Sequence, residues 1–284
     1  MSVIGSMGSI VEQKDPQTTT HMEEFEVLAH GCFEREAVLV EYRRGCSLPV
    51  SPFTAALIDR TWLSYVDTSS AAGINVYNGA LFRLDCFRNA GGRLVLELSD
   101  TDFRECIGTA GREFASVFPD LPRANPVAVS AALVTSDRKI IVEKRSRVDS
   151  RRRPYHVIAG YMERDRDGET PHPFATLRRE VHEELGIDLD EAALRVTGLI
   201  RALYASEVCF RCPLPVSFEE VAKMQDRVVT DSEIEALEPL DDSPGAVAAF
   251  LAAHPSDMAP PGRACLLLYG RNAYGDEWYR AARR

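Results

Sequence analysis

No window of this 284-residue chain approaches 18 uncharged apolar residues, which excludes a transmembrane helix. Positive charge is in deficit. With 33 Lys and Arg against 43 Asp and Glu, the net charge of −10 disfavours nonspecific binding to nucleic-acid backbone or anionic membrane. The segment Met1–Met22 lacks an apolar h-region and is rich in Ser, Thr and Gln, so it reads as a disordered tail and not a signal peptide. The 7 cysteines are odd in number and form no dense framework, which suits a reducing cytosol. Cys209 and Cys212 form a CxxC in a strand-like run where residues three apart face opposite sides. With no second pair nearby, buried structural thiols are favoured over zinc. Internal repeats are missing too. Apolar residues are plentiful at 45%, enough for one large domain or two small ones.

The punctuation of the chain predicts its elements. Phe25–Ala29 and Ala37–Glu41 read as strands joined by a short turn, and Pro49-Val-Ser-Pro52 opens a helix to about Tyr65. Residues 80–99 read as a hairpin around Asn89-Ala-Gly-Gly92, followed by a helix over 102–115 behind Asp100-Thr-Asp102. Three prolines in Phe118–Pro126 mark the domain boundary. Beyond it, strands are predicted at 127–135, 139–144, 156–159, 196–203, 206–212 and Ala264–Tyr269, with helices at 173–185, 217–225 and 244–253. The irregular alternation predicts a mixed sheet between helices: a tail over 1–22, a small α+β domain over 23–120 and an α/β domain over 121–284.

The most informative stretch is Arg179-Glu-Val-His-Glu-Glu-Leu-Gly-Ile187. Glu180, Glu183 and Glu184 stand at i, i+3 and i+4, which a helix stacks on one face. Like charges at that spacing cost an isolated helix roughly 0.2–0.5 kcal/mol per pair. A hard divalent cation over that face, with oxygen ligands, waters and substrate phosphates in its shell, would offset the repulsion. Gly186 reads as the helix C-cap. His182 points off this face toward solvent. A salt-bridged surface helix is the plainer reading of the same residues.

Together with Ala159-Gly160 and Glu163 upstream, this stretch resembles the signature of Nudix hydrolases, whose second half matches at every fixed position. The first half departs: eight residues separate Gly160 from Glu169 and nine separate Glu169 from Arg179, insertions of three and two. The resemblance implies a Nudix α/β/α sandwich. It implies metal ligation by Glu180, Glu184, the Ala159 carbonyl and Glu183, with Mg²⁺ or Mn²⁺ as the ion. Arg179 would pair with Glu163 or Glu169. Glu207, outside the motif, is the candidate general base, against a solvated strand-start glutamate. Arg145 and Arg147 are candidate phosphate-binding groups, since guanidinium forks hold phosphate oxygens in pairs. A solvated basic loop is the alternative for them. Phe82, Phe103 and Tyr204 are candidates to stack a base, with core packing as the alternative. Phe82, Tyr204 and Gly160 complete the expected substrate site.

The part before residue 126 resembles the Nudix branch acting on UDP-glucose and related UDP-sugars, through Asn78-Gly-Ala-Leu-Phe-Arg-Leu84, Phe103-Arg-Glu-Cys-Ile-Gly-Thr109 and Arg263-Ala-Cys-Leu-Leu-Leu-Tyr269. The implied reaction takes UDP-glucose or UDP-galactose to UMP and sugar 1-phosphate in the cytoplasm, with a homodimer as a state that relatives adopt. An ADP-ribose or other nucleoside diphosphate pyrophosphatase and a non-catalytic nucleotide-sugar-binding module are the alternatives. No nucleic-acid or membrane partner is implied.

Overall fold

The computed structural model describes residues 25–145, 153–168, 170–202, 204–228 and 234–284. The first part of the chain runs β1 (Phe25–Phe33), β2 (Val38–Tyr42), α1 (Pro52–Ala71), β3 (Ala80–Ala90), β4 (Arg93–Asp102), α2 (Phe103–Ala110) and α3 (Arg112–Val117). The middle runs β5 (Val127–Val134), β6 (Lys139–Arg145), β7 (Tyr155–His156), β8 (Ile158–Tyr161), α4 (Arg164–Asp167) and α5 (Pro173–Leu185). The last part runs β9 (Arg195–Ala202), β10 (Ala205–Pro213), α6 (Phe218–Gln225), β11 (Ile234–Asp241), α7 (Pro244–Ala253), α8 (Pro260–Tyr274) and α9 (Asp276–Ala282).

Eight strands make one mixed sheet in the order β1-β9-β10-β5-β6-β11, with β7 on β6 and β8 on β5. β10 and β5 run parallel, whereas β1–β9, β9–β10, β6–β11 and β5–β8 run antiparallel. Strand alternation divides the core between the two faces. Val127, Val129, Ala131 and Leu133 of β5 pack with Phe174, Leu177 and Val181 of α5. Ala132 packs on the other side with Val247 and Leu251 of α7 and Leu266 and Leu268 of α8. The expected α/β/α sandwich with a mixed sheet is therefore the architecture formed.

A second sheet, β2-β4-β3, carries α1 and α2. Its Leu84, Leu94, Leu96 and Leu98 belong to the same apolar cluster as α5, so the core runs without a break between the two sheets. Backbone bonds also join them: Phe82 N–H donates to Met162 O at 3.2 Å and Leu84 N–H to Asn125 O at 3.1 Å. β1, although it precedes residue 120, pairs with β9 in the large sheet, and β2 pairs with β4 instead of β1.

Two expectations are corrected. Residues 264–269 lie in helix α8, opened by Pro260 and Pro261, and not in a strand. That helix is buried on nearly all sides from Pro260 to Gly270, which erases the 3.6-residue polarity pattern and leaves an apolar run that reads as a strand. The helix expected over 102–115 breaks at Gly111, whose backbone is extended (φ −71°, ψ 156°). Edge strand β11 has no counterpart among the expected elements, because Pro239 and the glutamates Glu235 and Glu238 break the period-2 pattern. The tail over 1–22 lies outside the described residues. Among the described residues no helix is long and apolar enough to cross a membrane.

Candidate active site

The local sequence sets both ends of α5. His172 caps the N-terminus, Pro173 fills the first turn, and Gly186 takes the left-handed conformation (φ 69°) that ends the helix, as its position after the glutamates implied. Phe174, Leu177, Val181 and Leu185 anchor the helix on β5 and its neighbours. This anchoring brings Glu180 to β8 and Glu184 to β6.

Glu180 lies directly over Gly160, and a Cβ at that position would run into its carboxyl carbon. Glycine thus lets the Glu180 carboxyl rest against β8, and a larger residue would displace that carboxyl. Glu180 is only 9% exposed, and burial pushes its carboxyl up to about 7 against the opposing pull of Arg179. Ala159, the expected carbonyl ligand, is the β8 residue just before this contact.

Arg179 braces the arrangement. Its Nη2 donates to Tyr161 O at 3.0 Å, and its Nη1 stands 2.6 Å from Glu180 Oε1 and 3.5 Å from Glu183 Oε2. The close approach to Glu180 is a charge contact without hydrogen-bond geometry, since Nη1 has no hydrogen-bond acceptor. Among the described residues Asp167, and not the expected Glu163, accepts the Arg179 Nε hydrogen bond. Asp167 Oδ1 faces Arg179 Nε at 3.3 Å, while its Oδ2 accepts from Glu163 N–H at 2.8 Å and Thr176 Oγ1 at 2.9 Å. Glu163 acts on Arg179 only through its field. Glu169 lies outside the described residues.

Glu184 meets a residue that the motif does not contain. Its carboxyl lies against that of Glu143 of β6, and burial followed by Glu143 raises its pKa well above the ordinary carboxylate range. Although Glu184 as a residue is half-buried, its Oε2 is buried and has no hydrogen-bond partner. Glu143 is 0% exposed and accepts from Arg145 Nε at 2.8 Å. Arg145 therefore points at buried carboxylates, not into a solvated loop. Arg147 lies outside the described residues. Glu183 is paired with Arg166 as well as Arg179.

The other candidates are placed elsewhere. Val208 and Phe210 of β10 face α5, while Cys209 faces α8. Alternation puts Glu207 on the α8 side with Cys209, and Ser130 hydrogen-bonds both of them. Glu207 is buried, which corrects the solvated strand-start alternative, and the Arg145 charge acts on it as it does on Glu184. Burial pushes Glu207 up to about 8, partly offset by Ser130 and Arg145. Phe82 is 0% exposed and packs edge-on to Tyr42, ring centres 5.0 Å apart, so the base-stacking expectation is corrected to a core role. Phe103 joins Trp62, Tyr65 and Tyr161 in an aromatic cluster. Tyr204 is half-buried and hydrogen-bonds Tyr161. Cys209 and Cys212 are both fully buried, on opposite faces of the sheet.

A cleft of about 470 Å³ lies between β2 and the start of α5, lined by Arg35, Val38, Tyr42, Thr170 and His172. It does not include the glutamates.

Glu180, Glu184 and a backbone carbonyl are hard oxygen donors, and the orphaned Glu184 oxygen fits a Mg²⁺-type ion. Among the described residues, however, no three His, Cys, Asp or Glu side chains stand in ligating geometry. The donor chemistry fits, and waters and substrate would have to supply the rest of the shell.

No family model and no curated protein matches this chain. Solved structures do. DR0079 from Deinococcus radiodurans is 18% identical with a TM-score of 0.34, over 50% of this chain and 80% of its own. A bifunctional NMN adenylyltransferase/ADP ribose pyrophosphatase from Francisella tularensis, complexed with AMP and a Mn ion, is 12% identical with a TM-score of 0.36, over 57% of this chain and 45% of its own. The Bacillus subtilis pyrophosphohydrolase BsRppH, in mutant form, is 10% identical with a TM-score of 0.33, over 52% of this chain and 84% of its own. At these values the likenesses say nothing of the chemistry of this chain.

Proposed function

We propose that this protein is a Nudix-type hydrolase that, with Mg²⁺ or Mn²⁺, cleaves the pyrophosphate of a nucleoside diphosphate sugar. UDP-glucose or UDP-galactose plus water would give UMP and the sugar 1-phosphate: water oxygen bonds to one phosphorus as the bridging P–O bond breaks. The observation that carries this reading is the seating of Glu180 on Gly160 while Arg179, held by Asp167, braces it. A surface helix stabilised by salt bridges has no need to bury its glutamates against a strand glycine.

Glu180 and Glu184 would hold the ion, with the Ala159 carbonyl beside them. When bound, the ion would acidify a water and neutralise charge on the phosphates. The protein's own contribution is orientation. Arg179 fixes Glu180, and Arg145 lies against the Glu143–Glu184 pair, near where a phosphate would meet the ion. Tyr204, bonded to Tyr161, remains a candidate contact for the base or sugar. The free thiols accord with a cytoplasmic setting.

Incubation with Mg²⁺ and a panel of UDP-sugars, ADP-ribose, NADH and dinucleoside polyphosphates, with detection of released phosphomonoester, tests the reading. Release of UMP and sugar 1-phosphate is expected. Turnover of ADP-ribose alone would move the substrate within the same chemistry. No turnover with nucleotide-induced thermal stabilisation would make the protein a binding module.

A further inference from the structure

We propose that Glu143, on β6 and outside the motif, is a direct ligand of the divalent cation, completing the Glu184 side of the site. The inference rests on the proposed function, because it concerns the same ion.

β6 reads Lys-Ile-Ile-Val-Glu-Lys-Arg over 139–145. Ile140, Ile141, Val142 and Glu143 are all 0% exposed, so a carboxylate occupies a position where the neighbouring strand residues are branched and apolar. Alternation fixes where it points. Ile140 and Val142 join the cluster under α7 and α8, while Ile141 joins the cluster under α5. Glu143 shares the face of Ile141, and its carboxyl reaches the carboxyl of Glu184.

Two carboxylates in contact repel as anions and stay together only around a shared proton or a positive centre. Arg145 supplies one positive charge, bonded at Glu143 Oε2 with Nε at 2.8 Å and acting on Glu184 through its field. A second observation points to a further cation: Glu184 Oε2 is buried and has no hydrogen-bond partner. A finished structural ion pair satisfies its buried oxygens, whereas a ligand awaiting an ion leaves one open. Carboxylate oxygens from two different elements are the donors that Mg²⁺ and Mn²⁺ take, with waters and phosphate filling the other positions. The competing role for Glu143 is structural, as the acceptor that holds Arg145 in place.

Titration of the full-length protein with MnCl₂, followed by calorimetry and by the electron paramagnetic resonance of free Mn²⁺, separates these roles without any substrate. Glu143→Gln keeps the size and an acceptor for Arg145 but removes the charge. We expect Mn²⁺ affinity to fall at least about tenfold, with the melting temperature in EDTA not lowered. Glu143→Asp retracts the carboxylate and is expected to weaken Mn²⁺ several-fold; it decides the matter if Glu143→Gln does not fold. Wild-type affinity in both variants, or in Glu143→Asp alone where the other does not fold, would overturn the assignment and leave the proposed function standing. A wild-type protein that binds no Mn²⁺ would instead remove the proposed function, and this inference with it.

Discussion

Arg179 is held by Asp167, twelve residues before it in the chain, with Nε 3.3 Å from Oδ1. The same carboxylate closes the α4 turn on Glu163 N–H and receives Thr176 Oγ1 from α5. One side chain thus ties the loop before the glutamate helix to the helix itself, and through Arg179 to Glu180.

Replacing that partner is the first prediction. Asp167→Asn keeps the shape but loses the charge that holds Arg179, and Asp167 is only 3% exposed at its side chain. We expect kcat for pyrophosphate cleavage to fall about tenfold, and stability by about 1–3 kcal/mol, as is usual for a buried charge-assisted hydrogen bond. Glu163→Gln, which touches Arg179 only through its field, is expected to stay within about threefold of wild type. Steady-state kinetics and urea unfolding of both variants check this; equal losses would return the bracing role to Glu163.

Gly160 carries the second. A methyl group there meets the Glu180 carboxyl carbon, so Gly160→Ala must push that side chain away from β8. Because Gly160 does not lie in the left-handed region, the strand itself tolerates alanine. The expected outcome is a loss of at least about tenfold in Mg²⁺ affinity and turnover with the fold retained, read by calorimetry and circular dichroism. Unchanged Mg²⁺ affinity would mean that Glu180 is not a ligand.

Much of this was legible in the sequence, for reasons that particular residues show. Pro173 and Gly186 bracket α5 because each has a local conformational cause, and the hairpin over 80–99 follows from its turn glycines. Asp167 was hidden because it stands twelve residues before Arg179 and only the fold brings the two together. Glu143 was hidden because a single glutamate in an apolar strand looks like a strand end, and only the pairing of β6 with its neighbours shows it buried. For Glu207, alternation ties it to Cys209 from sequence alone, but which helix covers that face is a tertiary fact.

Arg164 is the hinge pin between the small sheet and the candidate site. Its Nε and Nη2 donate to the Leu81 and Thr101 carbonyls at 3.1 and 3.2 Å, and its Nη1 lies 3.3 Å from Asp100 Oδ2. Asp100 is itself bonded by Tyr42 and Gly45. Arg164→Ala removes all three ties at once while leaving two strand carbonyls without their donor. A loss of about 1–3 kcal/mol in urea unfolding is expected, with Arg164→Lys recovering only part, because an ammonium cannot span three acceptors at those angles. A neutral Arg164→Ala would show that the shared apolar core alone joins the two sheets.

Glu207 supplies the pH prediction. Its carboxyl is pushed up to about 8 in the folded protein by burial, against an ordinary value of 4.5. Between those values the folded protein keeps a proton that the unfolded chain has released. Its contribution to stability is therefore full below about pH 4.5 and declines as pH rises through 8. Glu207→Gln removes this dependence, so the melting temperature of the variant relative to wild type should shift in its favour from pH 5 to pH 8.5. Placement on the α8 face adds a kinetic expectation: the pH–rate profile of Glu207→Gln should keep the wild-type shape. Loss of the limb near pH 8 in kcat/KM would instead make Glu207 the general base.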